Sequence, residues 1–115
     1  MTLEDREKIA KNLFEESIEL LHTKGKSYAG QQDSLSNFKR NAERLNLTPY
    51  QVWAVYFNKH VDSINNAIAD NPNSPIDASE SLRSRVLDAI TYLTILECLQ
   101  NDEDLINSPN NKVEI

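Results

Sequence analysis

Both glycines of this 115-residue chain, Gly25 and Gly30, fall within one six-residue stretch, and only four prolines accompany them in the whole sequence. A β-sandwich or barrel needs its own turn chemistry at every hairpin, and turn formers this scarce do not supply it. Helices run for many residues without a turn, so they are what such a chain can build. One domain of ordinary size fits the length, and 39% hydrophobic residues can fill one core.

Helical periodicity supports this reading. Thr2 and Asp5 form a capping-box-like start, and Ile9, Leu13, Phe14, Ile18 and Leu21 then recur at three-to-four-residue spacing. Gly25 is expected just past the end of this first helix, with His22 and Lys24 near the last carbonyls. A polar loop, KGKSYAGQQD, is expected over 24–33. Asp33 or Ser34 then caps a second helix that buries Leu35, Phe38, Ala42 and Leu45 and ends at a left-handed Asn46.

The strongest local signal is Thr48-Pro49-Tyr50-Gln51, in which threonine caps, proline takes the first helical position and glutamine closes the box. The third helix runs from there to about Asp70, burying Trp53, Tyr56 or Phe57, Val61, Ile64 and Ile68. Two prolines in DNPNSPID, 70–77, exclude its continuation. Asp77 with Glu80 starts a fourth helix, in which Leu82, Val86, Ala89, Leu93 and Leu96 follow at spacings of four, three, four and three. The expected fold is all-α, a compact bundle of about four helices: one domain over 1–100 and an acidic, polar tail over 101–115, frayed or ordered only by a partner. Trp53, Tyr56 and Phe57 are much for so small a core to bury, so a homo-oligomer is expected, the alternative being a well-packed monomer that hides them.

Several classes are set aside on the same residues. No apolar run approaches the ~18 residues of a membrane span, and the charged start MTLEDREK lacks the hydrophobic core of a signal peptide. Cys98, the single cysteine, makes neither an internal disulfide nor a zinc site, which suits a reducing cytoplasm. A net charge of −6 disfavours binding to nucleic-acid duplexes.

That charge is uneven. Residues 24–44 carry Lys24, Lys26, Lys39, Arg40 and Arg44 against Asp33 and Glu43, a local excess of three positive charges around the glycines. Lysines alternating around glycine can offer ammonium groups and backbone N–H to a phosphate, and Tyr28 offers a ring for a base; the same stretch reads equally as a solvated connector. It is not a P-loop, since no G-x-x-x-x-G-K-[ST] pattern is present. In NKHVD, 58–62, Lys59 and Asp62 stand three apart, as do Arg85 and Asp88 on the fourth helix. If the two helices pack together, Lys59, His60, Arg85 and Asp88 line one polar groove; otherwise they form two intrahelical ion pairs worth a few tenths of a kcal/mol each. Glu16 and Glu19 form an E-x-x-E capable of holding Mg²⁺ with a substrate phosphate, but Arg85 stands where a second acid would be needed. No Ser-His-Asp or Cys-His set can be assembled from two histidines and one cysteine in unrelated contexts.

The segments over 24–64 and 79–93, roughly 55 residues, resemble a family of small bacteriophage proteins, the nucleotide-modification-associated domains, which are distantly similar to MazG-type all-α nucleotide pyrophosphatases. The resemblance is carried by D-x-L-x-N-F at 33–38, V-W-A-V-Y-F-x-K-H at 52–60 and R-x-x-D-A-I-x-Y-L at 85–93. It implies an all-α, oligomeric protein linked to nucleotides. MazG-type enzymes hold Mg²⁺ with E-x-x-E and a following E-x-x-D; Glu16 and Glu19 match the first, and Arg85 breaks the second. Small phage proteins also include nucleotide sponges, which hide signalling nucleotides of host immunity and need no metal.

The expectation is thus a phage-encoded protein of the infected bacterium's cytoplasm that sequesters a small signalling or cyclic nucleotide without cofactor or turnover. Lys24, Lys26, Lys59 and Arg85 would hold phosphates, Tyr28 or Tyr56 would stack on a base, and Asn37, His60 and Asp88 would bond base or sugar. The alternatives are a Mg²⁺-dependent pyrophosphatase with Glu16, Glu19 and Asp88 as ligands, and a helical protein–protein adaptor using the acidic tail.

Overall fold

The computed structural model describes residues 1–29, 33–76 and 81–107, with 25–29 as backbone only. Among the described residues there are five helices: α1 (Leu3–Ala29), α2 (Ser36–Leu45), α3 (Pro49–Asp70), α4 (Leu82–Asn101) and α5 (Glu103–Ile106). The fold is all-α, and no described residue lies in a strand. No described helix is long and apolar enough to cross a membrane.

The starts of α1 and α3 follow their capping signals. At α1, the Asp5 N–H donates to Thr2 Oγ1 and the Thr2 N–H to Asp5 Oδ2, each at 3.1 Å. At α3, the Gln51 N–H donates to Thr48 Oγ1 at 3.2 Å and the Thr48 N–H to Gln51 Oε1 at 2.9 Å. Asn46 closes α2 with φ 55° and ψ 45°, which lets the Leu47 N–H reach the Ala42 carbonyl at 2.9 Å. Neither Asp33 nor Ser34 caps α2: Leu35 takes the cap position without a side-chain cap, and Asp33 instead accepts the Leu35 N–H at 2.9 Å in the turn before the helix. Ser81 caps α4 through the Ser84 N–H; Asp77 and Glu80 lie outside the described residues.

The first helix does not stop at Gly25. It continues to Ala29, so most of the expected 24–33 loop is helix. A helical glycine costs only ~1 kcal/mol relative to alanine. Here Lys24 is anchored on α4, and that contact holds the preceding turn in place.

α4 is the hub, packed against α1, α3 and α5. α3 and α4 run antiparallel: Tyr50 OH donates to the Leu99 carbonyl, whereas His60 meets Asp88. α1 and α4 run parallel, with Glu16 on Arg83 and Lys24 on Asp88. The core gathers Phe38, Ala42 and Val52, with Trp53, Tyr56, Tyr92 and Ile95 packed on it.

The buried stripe of α4 differs from the expected one. Leu87, Thr91 and Leu99 are buried, whereas Val86 and Leu93 are exposed. Apolar residues occur all round this helix, so spacing alone does not select the inward face; the aromatic side of α3 does. On α1, Ser17 is buried, and its hydroxyl donates to the Leu13 carbonyl at 2.9 Å. This small, internally satisfied side chain occupies the contact, while Ile9, Phe14 and Ile18 face solvent. Leu45 and Ile68 are likewise exposed, and Val52 and Ala67 take the fully buried places on α3.

Beyond Gln100 the described residues reach Asn107 and include the short helix α5. Asp102 caps α5 by accepting the Leu105 N–H at 3.1 Å, and its other carboxylate oxygen takes the Lys39 ammonium at 3.0 Å. Lys39 also reaches Asp33 at 2.8 Å, so one cation ties the start of α2 to the start of α5.

Candidate functional site

The end of α1, the start of α2 and the facing sides of α3 and α4 line a half-open cavity of about 630 Å³. Its surface is predominantly apolar, with Leu21, Leu35, Phe38 and Ile95 among the walls. Into this wall the four elements bring a few polar groups: Lys24, Asn37, Tyr56, His60, Asp88 and Thr91. Concave, mostly apolar pockets with a few fixed polar groups are the usual form of small-molecule sites, at ~300–1,000 Å³.

Asp88 is the electrostatic centre. Its Oδ1 accepts the Lys24 ammonium at 3.1 Å, and its Oδ2 lies 3.6 Å from His60 Nδ1, just beyond hydrogen-bond reach. The Asp88 side chain is 13% exposed and that of Lys24 44%, so the acid lies inside and the cation at the rim. Each carboxylate oxygen carries two lone pairs, so Asp88 retains acceptor capacity after Lys24 has bound.

Two buried polar atoms here have no hydrogen-bond partner among the described residues: His60 Nδ1 and Thr91 Oγ1. Thr91 is 8% exposed. Helical threonines commonly bond the carbonyl four residues back, as Thr94 does to Ile90 at 2.8 Å; the Thr91 hydroxyl does not.

Aromatic rings form a continuous wall. Phe38 lies 5.9 Å from Tyr56 and 6.4 Å from Tyr92, and His60 lies 4.9 Å from Tyr92. Asn41 Nδ2 donates to the Tyr56 hydroxyl at 3.0 Å and fixes that ring. Behind Tyr92, Trp53 Nε1 donates to its carbonyl at 2.6 Å while stacking on Phe57 at 4.9 Å.

Five of the sequence-predicted residues, Lys24, Asn37, Tyr56, His60 and Asp88, thus line one cavity. Lys59 does not line it; its ammonium sits 5.6 Å from the Tyr56 ring centroid. Arg85 is half-buried on α4 and is not part of the lining. The expected groove of Lys59, His60, Arg85 and Asp88 therefore reduces to His60 and Asp88, with Lys24 supplying the cation. The side chains of Lys26 and Tyr28, and residue Gly30, lie outside the described residues.

The expected backbone cradle for phosphate is not available up to Ala29. Helical N–H groups there bond carbonyls within α1, and a helix C-terminus presents the negative end of its dipole. Of the Glu16, Glu19 and Asp88 set, Glu16 is bound by Arg83 Nη2 at 2.6 Å and Asp88 by Lys24. Among the described residues no group of three His, Cys, Asp or Glu side chains is placed to hold a metal ion.

Sequence reasoning missed Thr91 and Phe38 as site residues. The available signal was the 88, 91, 95 spacing, which sets Asp88, Thr91 and Ile95 on one face of α4. Comparison of the chain with protein-family models, with curated proteins and with solved structures finds no match.

Proposed function

We propose that the protein binds a small nucleotide in this cavity and holds it without turning it over. The observation that carries the reading is the pair of buried polar atoms without a hydrogen-bond partner among the described residues, His60 Nδ1 and Thr91 Oγ1, on the wall of an aromatic cavity of about 630 Å³. An unsatisfied buried donor or acceptor costs ~1–3 kcal/mol, which a ligand with matching groups recovers. Flat rings with polar edges suit the combination of aromatic wall and buried polar atoms. Lys24 neutralises Asp88, so the interior favours an uncharged base, and the phosphates belong outside the cavity. Lys26 and Lys59 are the cations we assign to them.

The resemblance to phage nucleotide-modification-associated proteins supports the ligand class and the role: withholding a signalling nucleotide from host defence in the infected cell's cytoplasm. Sequestration is favoured over Mg²⁺-dependent hydrolysis because Arg83 already engages Glu16, and Lys24 engages Asp88. We also assign the exposed apolar residues Phe14, Ile18, Val86 and Leu93 to contact with a second copy. The test is incubation with linear and cyclic nucleotides, with and without Mg²⁺, followed by chromatography before and after heat denaturation. Intact nucleotide released only by heat supports the reading, and a new product formed with Mg²⁺ contradicts it.

A further inference from the structure

We infer that the cavity is selective for guanine, with Asp88 reading the base edge and Lys24 its carbonyl. This inference rests on the nucleotide reading and adds the identity of the base.

Donors in the cavity match acceptors on the base, and acceptors match donors. Lys24 Nζ, a donor, stands 3.1 Å from Asp88 Oδ1 at one side of the cavity. Asp88 Oδ2 follows beside it, with no hydrogen bond to His60 because Nδ1 stays 3.6 Å away. Thr91, one turn further along α4, adds a buried hydroxyl that the helix leaves unused. A ligand edge that reaches this pair therefore meets a cationic donor beside a carboxylate.

Guanine presents the complementary order: the O6 acceptor, the N1–H donor and the N2 amino donor. Its two N–H groups can engage a carboxylate in the paired geometry that makes charge-assisted bonds strong and directional. Hypoxanthine lacks the amino group and leaves one bond unmade. Adenine offers one amino group beside an acceptor nitrogen, and uracil sets carbonyl oxygens on both sides of its single N–H. Each of these leaves part of a buried carboxylate unpaired or faces it with another oxygen, which is how a hydrogen-bonding site rejects an analogue.

The test is calorimetric titration of the full chain with the 5′-monophosphates of guanosine, inosine, adenosine and xanthosine, repeated on Asp88→Asn. The expected result is guanosine monophosphate binding at least about tenfold tighter than the inosine and adenosine nucleotides. In Asp88→Asn the amide keeps an acceptor for N1–H and gains a donor for the xanthine C2 carbonyl, so preference should move from the guanosine to the xanthosine nucleotide. Equal affinities across the wild-type panel overturn the guanine assignment and leave the nucleotide reading standing. A folded Asp88→Asn protein with an unchanged preference also overturns it. Binding of none of the four, with no nucleotide recovered in the heat-release experiment, overturns both.

Discussion

Lys24 Nζ donates to Asp88 Oδ1 at 3.1 Å, joining the last turns of α1 to the middle of α4 across 64 positions of sequence. The pair is asymmetric, since Asp88 is largely buried and Lys24 half exposed. The acid thus depends on the cation more than the cation on the acid. The same contact joins two residues of the cavity wall and engages one oxygen of the carboxylate. Lys24→Ala is therefore expected to lower stability by ~1–3 kcal/mol, because a buried carboxylate loses its partner. In a urea-denaturation cycle with Asp88→Asn, the double variant should lose less than the sum of the singles.

Thr91→Val should separate stability from binding. The substitution preserves shape and removes a buried hydroxyl that has no hydrogen-bond partner among the described residues. The ligand-free protein should gain ~1 kcal/mol, seen as a higher melting temperature. Nucleotide affinity should fall about tenfold if that hydroxyl bonds the ligand. A ligand-free melting temperature that drops on this substitution contradicts the placement of Thr91.

Stability at the edges of the pH range should follow Lys39. Its ammonium holds the Asp33 carboxyl below the ordinary 3.8 by hydrogen bonding, against the opposing effect of burial. Burial pulls the Lys39 ammonium downward, but its hydrogen bonds to Asp33 and Asp102 outweigh this and raise it above the ordinary 10.5. Asp33 therefore contributes stability above pH 3.8 that is lost as pH falls through its lower folded value. Lys39 contributes stability below pH 10.5 that is lost as pH rises through its higher folded value. Lys39→Met should weaken the α2–α5 link and flatten both limbs, measured as denaturation midpoints from pH 2 to 12.

Leu93→Asp should leave the protein helical but reduce its assembly. Leu93 belongs to the four-three-four-three apolar stripe of α4 and is exposed in the single chain. Light scattering should give a multiple of 13.1 kDa for the wild type and one chain for the variant. A wild-type mass of one chain contradicts the assigned contact.

Helix boundaries were legible where the chemistry is local. The Thr48–Gln51 box and Asn46 each satisfy orphan backbone groups within a few residues, so their residue types announce them. Gly25 misled because glycine marks a helix end only by tendency, and here α1 runs through it to Ala29. The inward face of α4 was hidden for a related reason. With apolar residues on every side of the helix, the choice between Leu93 and Leu87 belongs to the neighbours, and Ser17 replaced Phe14 at α1 because close approach favours a small side chain. His60 and Asp88 could be paired in advance because packing two long helices suffices to join them. Lys24 was foreseen as a phosphate ligand, whereas its role as the counter-ion of Asp88 required the fold.

Chemical-shift mapping tests the central claim most directly. The ¹⁵N-labelled full chain would be titrated with guanosine monophosphate and its amide spectrum followed. The account predicts saturable shifts concentrated at Leu21, Lys24, Asn37, His60, Asp88 and Thr91, the residues that converge on the cavity. An unchanged spectrum at millimolar nucleotide, or shifts confined to residues away from this cavity, would contradict it.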